Sequence, residues 1–248
     1  MVNVKEIAEF LDKELKINEF EDDANNGLQM ENTGEIKKIG FAVDASLETF
    51  QKAQELGCQM LIAHHGMTYR GLTHITGHHY QRIKYLIENN LAVYCAHLPL
   101  DAHPVYGNNI KIANLLELKN IKCFGEHDGK SIGFQGEFSG NLEDVKKLLS
   151  ENGMKTRSLD FGKKEIKTIA IVSGGAAFNT IEAIKKNIDL YITGESEQWL
   201  HHFVKENKVN VIFGGHYETE VFGVKALMPL IKEKYNVEVE FIDLPTLV

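Results

Sequence analysis

Two adjacent histidines, His64 and His65, follow the apolar run Leu61-Ile62-Ala63. A short apolar run bounded by polar residues reads as a buried strand. Ending it in two imidazoles sets nitrogen donors at the rim of a sheet, where open α/β folds bind their ligands. Other strand-like runs end in related chemistry. Residues 91–96 lead into His97 and, four positions on, Asp101. Ile192-Thr193-Gly194 leads into Glu195, and Ile212-Phe213-Gly214-Gly215 into His216 and Glu220. In a helix that starts at the histidine, His-x-x-x-acid puts both donors on one face. Imidazoles and carboxylates without thiolates suit Zn²⁺, Fe²⁺, Mn²⁺ or Ni²⁺. Paired ions of that kind hold a hydroxide nucleophile and polarise the group it attacks. Taken singly, each motif has a plainer reading: a polar strand end, or an acid favouring a helix dipole. Their recurrence at equivalent strand ends is what points to a site.

Further residues have open roles. Glu195 reads as an acid or base, or as the partner that orients a ligating histidine. Ser173-Gly174-Gly175-Ala176 is a small-residue turn, suited either to an anion on its amides or simply to a tight turn. Tyr69, Arg70, His74, His78 and His79 line either a substrate entrance or a solvated loop. His201 and His202 fall in a helix after Trp199 and read as surface or packing residues. His103 and His127 have no partner visible in the sequence.

The elements that must position these groups alternate. Val4, Ile7, Ala8, Leu11 and Leu15 recur at helical spacing, so residues 3–16 are expected to be a helix. Residues 21–27 are polar and turn-rich. Residues 36–43 form a strand, Ser46 caps the following helix, and residues 59–63 form the strand that delivers the histidine pair. A helix near 78–89, a strand at 91–96 and a helix from 107 to about 116 follow. Strands alternating with helices imply a mostly parallel α/β sheet. Residues 131–138 alternate and contain glycine, which suggests an edge or antiparallel strand. A helix near 141–150 and a strand near 155–159 follow it.

The second part of the chain repeats the first. Ile36-Lys37-Lys38-Ile39-Gly40-Phe41 aligns with Ile166-Lys167-Thr168-Ile169-Ala170-Ile171 at an offset of 166 − 36 = 130. Continued without a gap, the offset pairs Met60 with Leu190, Ile62 with Ile192 and His65 with Glu195. A second block, at an offset of 119, pairs His97 with His216 and Asp101 with Glu220. Any two βαβ units share an apolar rhythm; the retained register and the His-x-x-x-acid at both strand ends go beyond it. The expected architecture is therefore two similar α/β halves, residues 1–125 and 126–248, with a metal site at their interface.

Composition narrows the class. The chain has 248 residues, 43% of them hydrophobic, enough for one large core or two smaller ones. Its net charge of −8 argues against a surface that attracts nucleic acid throughout. No apolar run approaches the roughly 20 residues of a membrane span, and the N-terminus lacks a signal pattern. Cys58, Cys95 and Cys123 have no CxxC spacing and read as buried reduced thiols. A cytoplasmic protein is expected.

Together, His64-His65-Gly66, His97-Leu98-Pro99-Leu100-Asp101, Ile192-Thr193-Gly194-Glu195 and Gly215-His216-Tyr217-Glu218-Thr219-Glu220 resemble the motifs of the GTP cyclohydrolase 1 type 2 homologue family, also called the Nif-three-like family. Ala102-His103-Pro104 and Gly107-Asn108-Asn109 fit it as well. The resemblance runs from about residue 4 to the C-terminus, in a short form without the inserted middle domain of longer relatives. It implies a dinuclear metal site with His64, His65, Asp101, His216 and Glu220 as ligands and His97 close by, and a homohexameric ring. The reaction expected is metal-dependent hydrolysis of a small polar or nucleotide-like substrate such as GTP. A bridging water is the nucleophile, and His97 or Glu195 handles the proton. The alternative is a ring-forming scaffold or a nucleic-acid or protein interaction module without turnover; no basic stripe with interleaved aromatics supports it.

Overall fold

The computed structural model describes residues 2–71 and 74–246. In chain order, the elements up to the middle of the chain are α1 (Val4–Leu15), β1 (Gly27–Met30), β2 (Lys38–Asp44), α2 (Leu47–Glu55), β3 (Met60–His65), α3 (Gly77–Glu88), β4 (Ala92–Cys95), α4 (Leu98–Asp101) and α5 (Asn108–Leu115). Then come β5 (Lys119–His127), β6 (Lys130–Asn141), α6 (Leu142–Glu151), β7 (Arg157–Asp160), β8 (Glu165–Ile171), α7 (Thr180–Lys185), β9 (Leu190–Thr193), α8 (Leu200–Asn207), β10 (Asn210–Phe213), α9 (His216–Tyr235) and β11 (Glu238–Phe241).

The local rules hold where the periodicity is strong. The five apolar residues expected to line α1 are all buried. Asn3 caps that helix by accepting from the N–H groups of Lys5 and Glu6. Ser46 caps α2 through Thr49 N–H at 3.2 Å. Among the described residues, no helix is long and apolar enough to cross a membrane.

The chain forms two compact units with a mixed α/β fold and two sheets. The first unit runs through Leu100 and takes back Gly223–Leu244. Its sheet has the order β1-β4-β3-β2-β11. β2, β3, β4 and β11 are parallel, and β1 closes one edge antiparallel to β4. Met60, Leu61, Ile62 and Ala63 are fully buried in β3; each of the larger three contributes about 1.5–3 kcal/mol. Phe50 and Ala53 of α2 and Leu86 of α3 pack with Leu61 and Val93.

The second unit comprises Asp101–Phe222 with Pro245 and Thr246. Its sheet has the order β5-β6-β8-β9-β10-β7. β8, β9 and β10 are parallel, whereas β5, β6 and β7 pair antiparallel. Its core joins Ile112 of α5, Val145 and Leu149 of α6, and Ile169, Leu190 and Ile212 of the parallel strands.

The expected division at residue 125 differs from this one. β5 and β6 form one hairpin about Asp128-Gly129, both with positive φ (46° and 77°), as a type I′ hairpin turn requires. Residue 125 therefore lies inside a continuous antiparallel ladder. The chain also returns to the first unit, because β11 pairs with β2. The strand expected at 131–138 lies inside the sheet, antiparallel to both β5 and β8, and β5 takes the edge. Cys58 and Cys95 are buried thiols as expected, but Cys123 on β5 is exposed.

The internal repeat is visible in strand register. Ile39 pairs with Met60 and Phe41 with Ile62. At an offset of 130, Ile169 pairs with Leu190 and Ile171 with Ile192. In the next strand pair the offset changes. Ile62 pairs with Tyr94 and Ile192 with Ile212, an offset of 212 − 94 = 118. The second unit thus carries one extra residue between the end of β10 and His216. Gly215, with φ +91°, absorbs it.

Candidate metal centre

In the first unit, three imidazoles gather at the carboxyl ends of β3 and β4. The ring centroids of His64 and His65 are 4.8 Å apart, those of His64 and His97 5.1 Å, and those of His65 and His97 5.5 Å. Each ring offers a nitrogen, and these three atoms lie within 4.8 Å of one another. His64 is fully buried, so its orientation is fixed by packing as well as by hydrogen bonding.

Each Nδ1 faces an acceptor. His64 Nδ1 is 2.9 Å from the Ala96 carbonyl, at the exit of β4. His65 Nδ1 is 2.8 Å from Asp44 Oδ1; Asp44 ends β2 and is the registered strand partner of His65. His97 Nδ1 is 2.9 and 3.1 Å from the two oxygens of Asp22. A carbonyl or carboxylate facing Nδ1 requires the proton there, which assigns the lone pair to Nε2. This is the arrangement that orients metal-ligating histidines and raises their basicity.

Asp22 is the most heavily bonded of these acceptors. It also accepts from Ala24 N–H, Asn26 Nδ2 and Leu98 N–H. Burial pushes its carboxyl up, but the His97 bond and the other donors outweigh burial and hold it at about 2.

In the second unit an imidazole and two carboxylates gather around the start of α9. His216 opens the helix and Glu220 lies one turn on, with His216 Nε2 3.2 Å from Glu220 Oε2. Glu195, just after β9, accepts at 2.6 Å from His216 Nδ1. Glu195 therefore stands in the orienting position that Asp44 and Asp22 hold in the first unit. Gly174 has φ +63°, and a Cβ there would collide with Glu220 Oε1 and press on His216. Two amides of the turn that carries it are taken by side chains of α5 and α9: Ser173 N–H donates to Asn109 Oδ1 and Gly174 N–H to Thr219 Oγ1. Those two amides serve a tight turn rather than an anion.

Asp101 is buried, and its Oδ1 accepts from Asn108 Nδ2 at 2.8 Å and Ser173 Oγ at 2.9 Å. Asn109 donates to the Asp101 carbonyl at 3.4 Å and to the Ile132 carbonyl at 2.8 Å. Asp22, Asp44, Asn108, Asn109 and Ser173 are thus supporting residues that the motifs did not assign. For Asp44 a signal existed, since extending the β2–β3 register by one pair places it beside His65.

The remaining candidates have other partners. Arg70 pairs with Asp23 at 2.7 Å. The rings of His78 and His79 on α3 lie 4.1 Å apart, tilted by 38°. His103 Nδ1 accepts from the N–H groups of Val105 and Tyr106. His127 flanks the hairpin turn beside Asp128. His201 packs edge-on against Phe161, and His202 is exposed. Tyr69 stands edge-on to His97, with ring centroids 6.0 Å apart.

The donor set fits hard-to-borderline divalent ions, with imidazole and carboxylate oxygen as ligand atoms. The Cys95 thiol is engaged on the backbone, donating to the His64 carbonyl at 3.2 Å.

Comparison with known proteins agrees over the full length. The model of the family described as Duf34/NIF3 (NGG1p interacting factor 3) matches residues 2–246. A protein of Archaeoglobus fulgidus named GTP cyclohydrolase 1 type 2 homolog is 42% identical over 247 residues, covering 99% of both chains. One of the same name from Pyrococcus horikoshii is 43% identical, covering 97% of this chain and 98% of its own. Among solved structures, a Thermus thermophilus protein superposes with a TM-score of 0.89 at 35% identity, covering 100% of both chains. Reduced HcgD from Methanocaldococcus jannaschii superposes with a TM-score of 0.88 at 27% identity, covering 98% of both.

Proposed function

The chain belongs to the Duf34/NIF3 family, and from that premise we propose that it is a hydrolase dependent on two divalent transition-metal ions. Its substrate in this reading is nucleotide-like, such as GTP, or another small polar molecule. The ligands are His64, His65, Asp101, His216 and Glu220, and Zn²⁺, Fe²⁺, Mn²⁺ and Ni²⁺ all suit them.

The observation that carries the reading is tautomer control. Four imidazoles, His64, His65, His97 and His216, each have Nδ1 set against an oxygen acceptor. Fixing one such ring is common in a core; fixing four leaves a lone pair on each Nε2, which serves metal ions at His64, His65 and His216 and a proton at His97. When bound, a pair of ions lowers the pKa of a water and polarises the bond under attack.

The chain's own residues supply the rest. Asp44, the Ala96 carbonyl and Glu195 hold their histidines in one orientation and one tautomer. Asn108 and Ser173 hold Asp101. His97 is the proton carrier: Nε2 accepts the proton, and Asp22, bonded to Nδ1, stabilises the imidazolium that forms. Of the two residues expected to handle protons, Glu195 becomes a positioning residue, because its carboxylate is engaged on His216 at 2.6 Å. By family resemblance we also assign a hexameric ring, which sedimentation equilibrium tests. Two buried free thiols agree with a cytoplasmic location.

The test is an activity screen of metal-loaded protein over nucleotides, phosphoesters and cyclic amides. Turnover of one class that is abolished by His65→Ala, with the fold retained, is expected. Undiminished turnover by His65→Ala would remove these ligands from the mechanism.

A further inference from the structure

Beside the histidine trio, the first unit has a cavity of about 320 Å³, lined by Gly66, Thr68, Tyr69, His78, His79 and Arg82 among others. It adjoins the trio twice: Gly66 directly follows His65, and Tyr69 touches both the cavity and the His97 ring. Its volume lies at the lower end of small-molecule sites, roughly 300–1,000 Å³.

Its charge is unlike that of the rest of the chain. The protein carries a net charge of −8, yet residues 66–87 contain no Asp or Glu and include Arg70, Arg82, Lys84, His74, His78 and His79. Two of the three permanent cations are neutralised locally. Arg70 pairs with Asp23 at 2.7 Å, and Lys84 lies 3.7 Å from Glu88. Arg82 makes no ion pair among the described residues and lies half-buried in the cavity wall. A partly desolvated guanidinium presents a planar fork of donors that matches phosphate oxygens. His78 and His79 add donors on the same wall. α3, which carries all three, is 12 residues long and has no acid in its first turn, so its dipole adds to the field.

We propose that this cavity is an anion subsite that takes a phosphate or diphosphate group of the substrate, with Arg82 and His79 as its principal ligands. The inference rests on reading the trio as part of a hydrolytic centre and narrows the substrate class to phosphorylated molecules. A substrate anchored by phosphate on Arg82 has its reacting part directed toward His65 and His97. A nucleotide meets that requirement, whereas the free nucleoside lacks the anchor.

Isothermal titration with pyrophosphate, GTP and guanosine tests this, using protein stripped of metal so that phosphate–metal contacts play no part. The parent is expected to bind pyrophosphate and GTP but to bind guanosine at least tenfold more weakly. Arg82→Ala should weaken pyrophosphate binding at least tenfold, with melting temperature and metal content on reloading unchanged, and Arg82→Lys should recover part of the loss. Equal pyrophosphate binding by parent and Arg82→Ala overturns the proposal, as does absence of binding by the parent. Metal loading is measured separately. Arg82-dependent binding in a protein that takes up no metal would retain the anion subsite and refute the hydrolase. Metal-dependent turnover indifferent to Arg82 would do the reverse.

Discussion

Asp22→Asn separates the carboxylate's charge from its shape. The Asp22 side chain is only 3% exposed. Its Oδ1 faces Ala24 N–H at 2.9 Å and His97 Nδ1 at 2.9 Å; its Oδ2 faces Asn26 Nδ2 at 2.9 Å, Leu98 N–H at 3.1 Å and His97 Nδ1 at 3.1 Å. Every neighbour is a donor, so an amide NH₂ in either orientation meets at least two of them. Asp22 is held at about 2 against an ordinary 3.8. A group lowered in the folded state adds stability above its unfolded value and loses it as pH falls through the folded one. That lowering, discounted for solvent, is on the order of 2 kcal/mol at neutral pH. The lost hydrogen bonds give a similar figure, about 2–3 kcal/mol. Urea titration at pH 7 should show that loss, with the gap between parent and variant narrowing below pH 4. The second consequence concerns His97. The amide NH₂ meets fewer other donors in the Oδ1 position, which is also the one nearer His97, so Nδ1 there becomes an acceptor and the proton moves to Nε2. Nitrogen-15 correlation spectra of the imidazoles should show the protonated nitrogen of His97 change from Nδ1 to Nε2, and any hydrolysis should fall about 10²–10⁴-fold. An unchanged His97 tautomer with an unchanged urea midpoint would refute the assignment of Asp22 as its orienting group.

Glu195→Gln should weaken metal affinity about 10–100-fold while leaving the fold intact, because it frees His216 to change tautomer; competition with a chromophoric chelator measures it. Gly174→Ala forces a Cβ into the left-handed region and against Glu220, and should cost about 1–3 kcal/mol, read as a fall of several degrees in melting temperature. Asn109→Ala leaves the Ser173 N–H and the Ile132 carbonyl without their side-chain partner in a buried place, and should cost about 2–4 kcal/mol in chemical unfolding.

The strand ends were legible because each follows a short apolar run, and a buried run of four to six residues dictates where its polar successor emerges. The duplication was legible for the same reason: Ile39, Met60 and Ile62 and their counterparts keep both residue type and register. The one-residue slip before His216 was hidden, since Gly214-Gly215 aligns with Cys95-Ala96 without a gap and only the ladder shows the extra residue. Asp22 could not be singled out from Glu21-Asp22-Asp23. The return of that loop to the end of β4 gives Asp22 to His97, while Asp23 goes to Arg70 at the surface. β1 and β11 have little sequence signature, because edge strands such as Gly27–Met30 and Glu238–Phe241 are short and half polar. The unit boundary was displaced because the returning β11 is a long-range pairing, with no local signature in composition.

Metal content tests the central claim most directly. After loading and gel filtration, inductively coupled plasma mass spectrometry of the parent should find about two divalent transition-metal ions per chain, and markedly fewer in His65→Ala at the same helical content. A parent that stays folded and retains no such ion under these conditions would contradict the account.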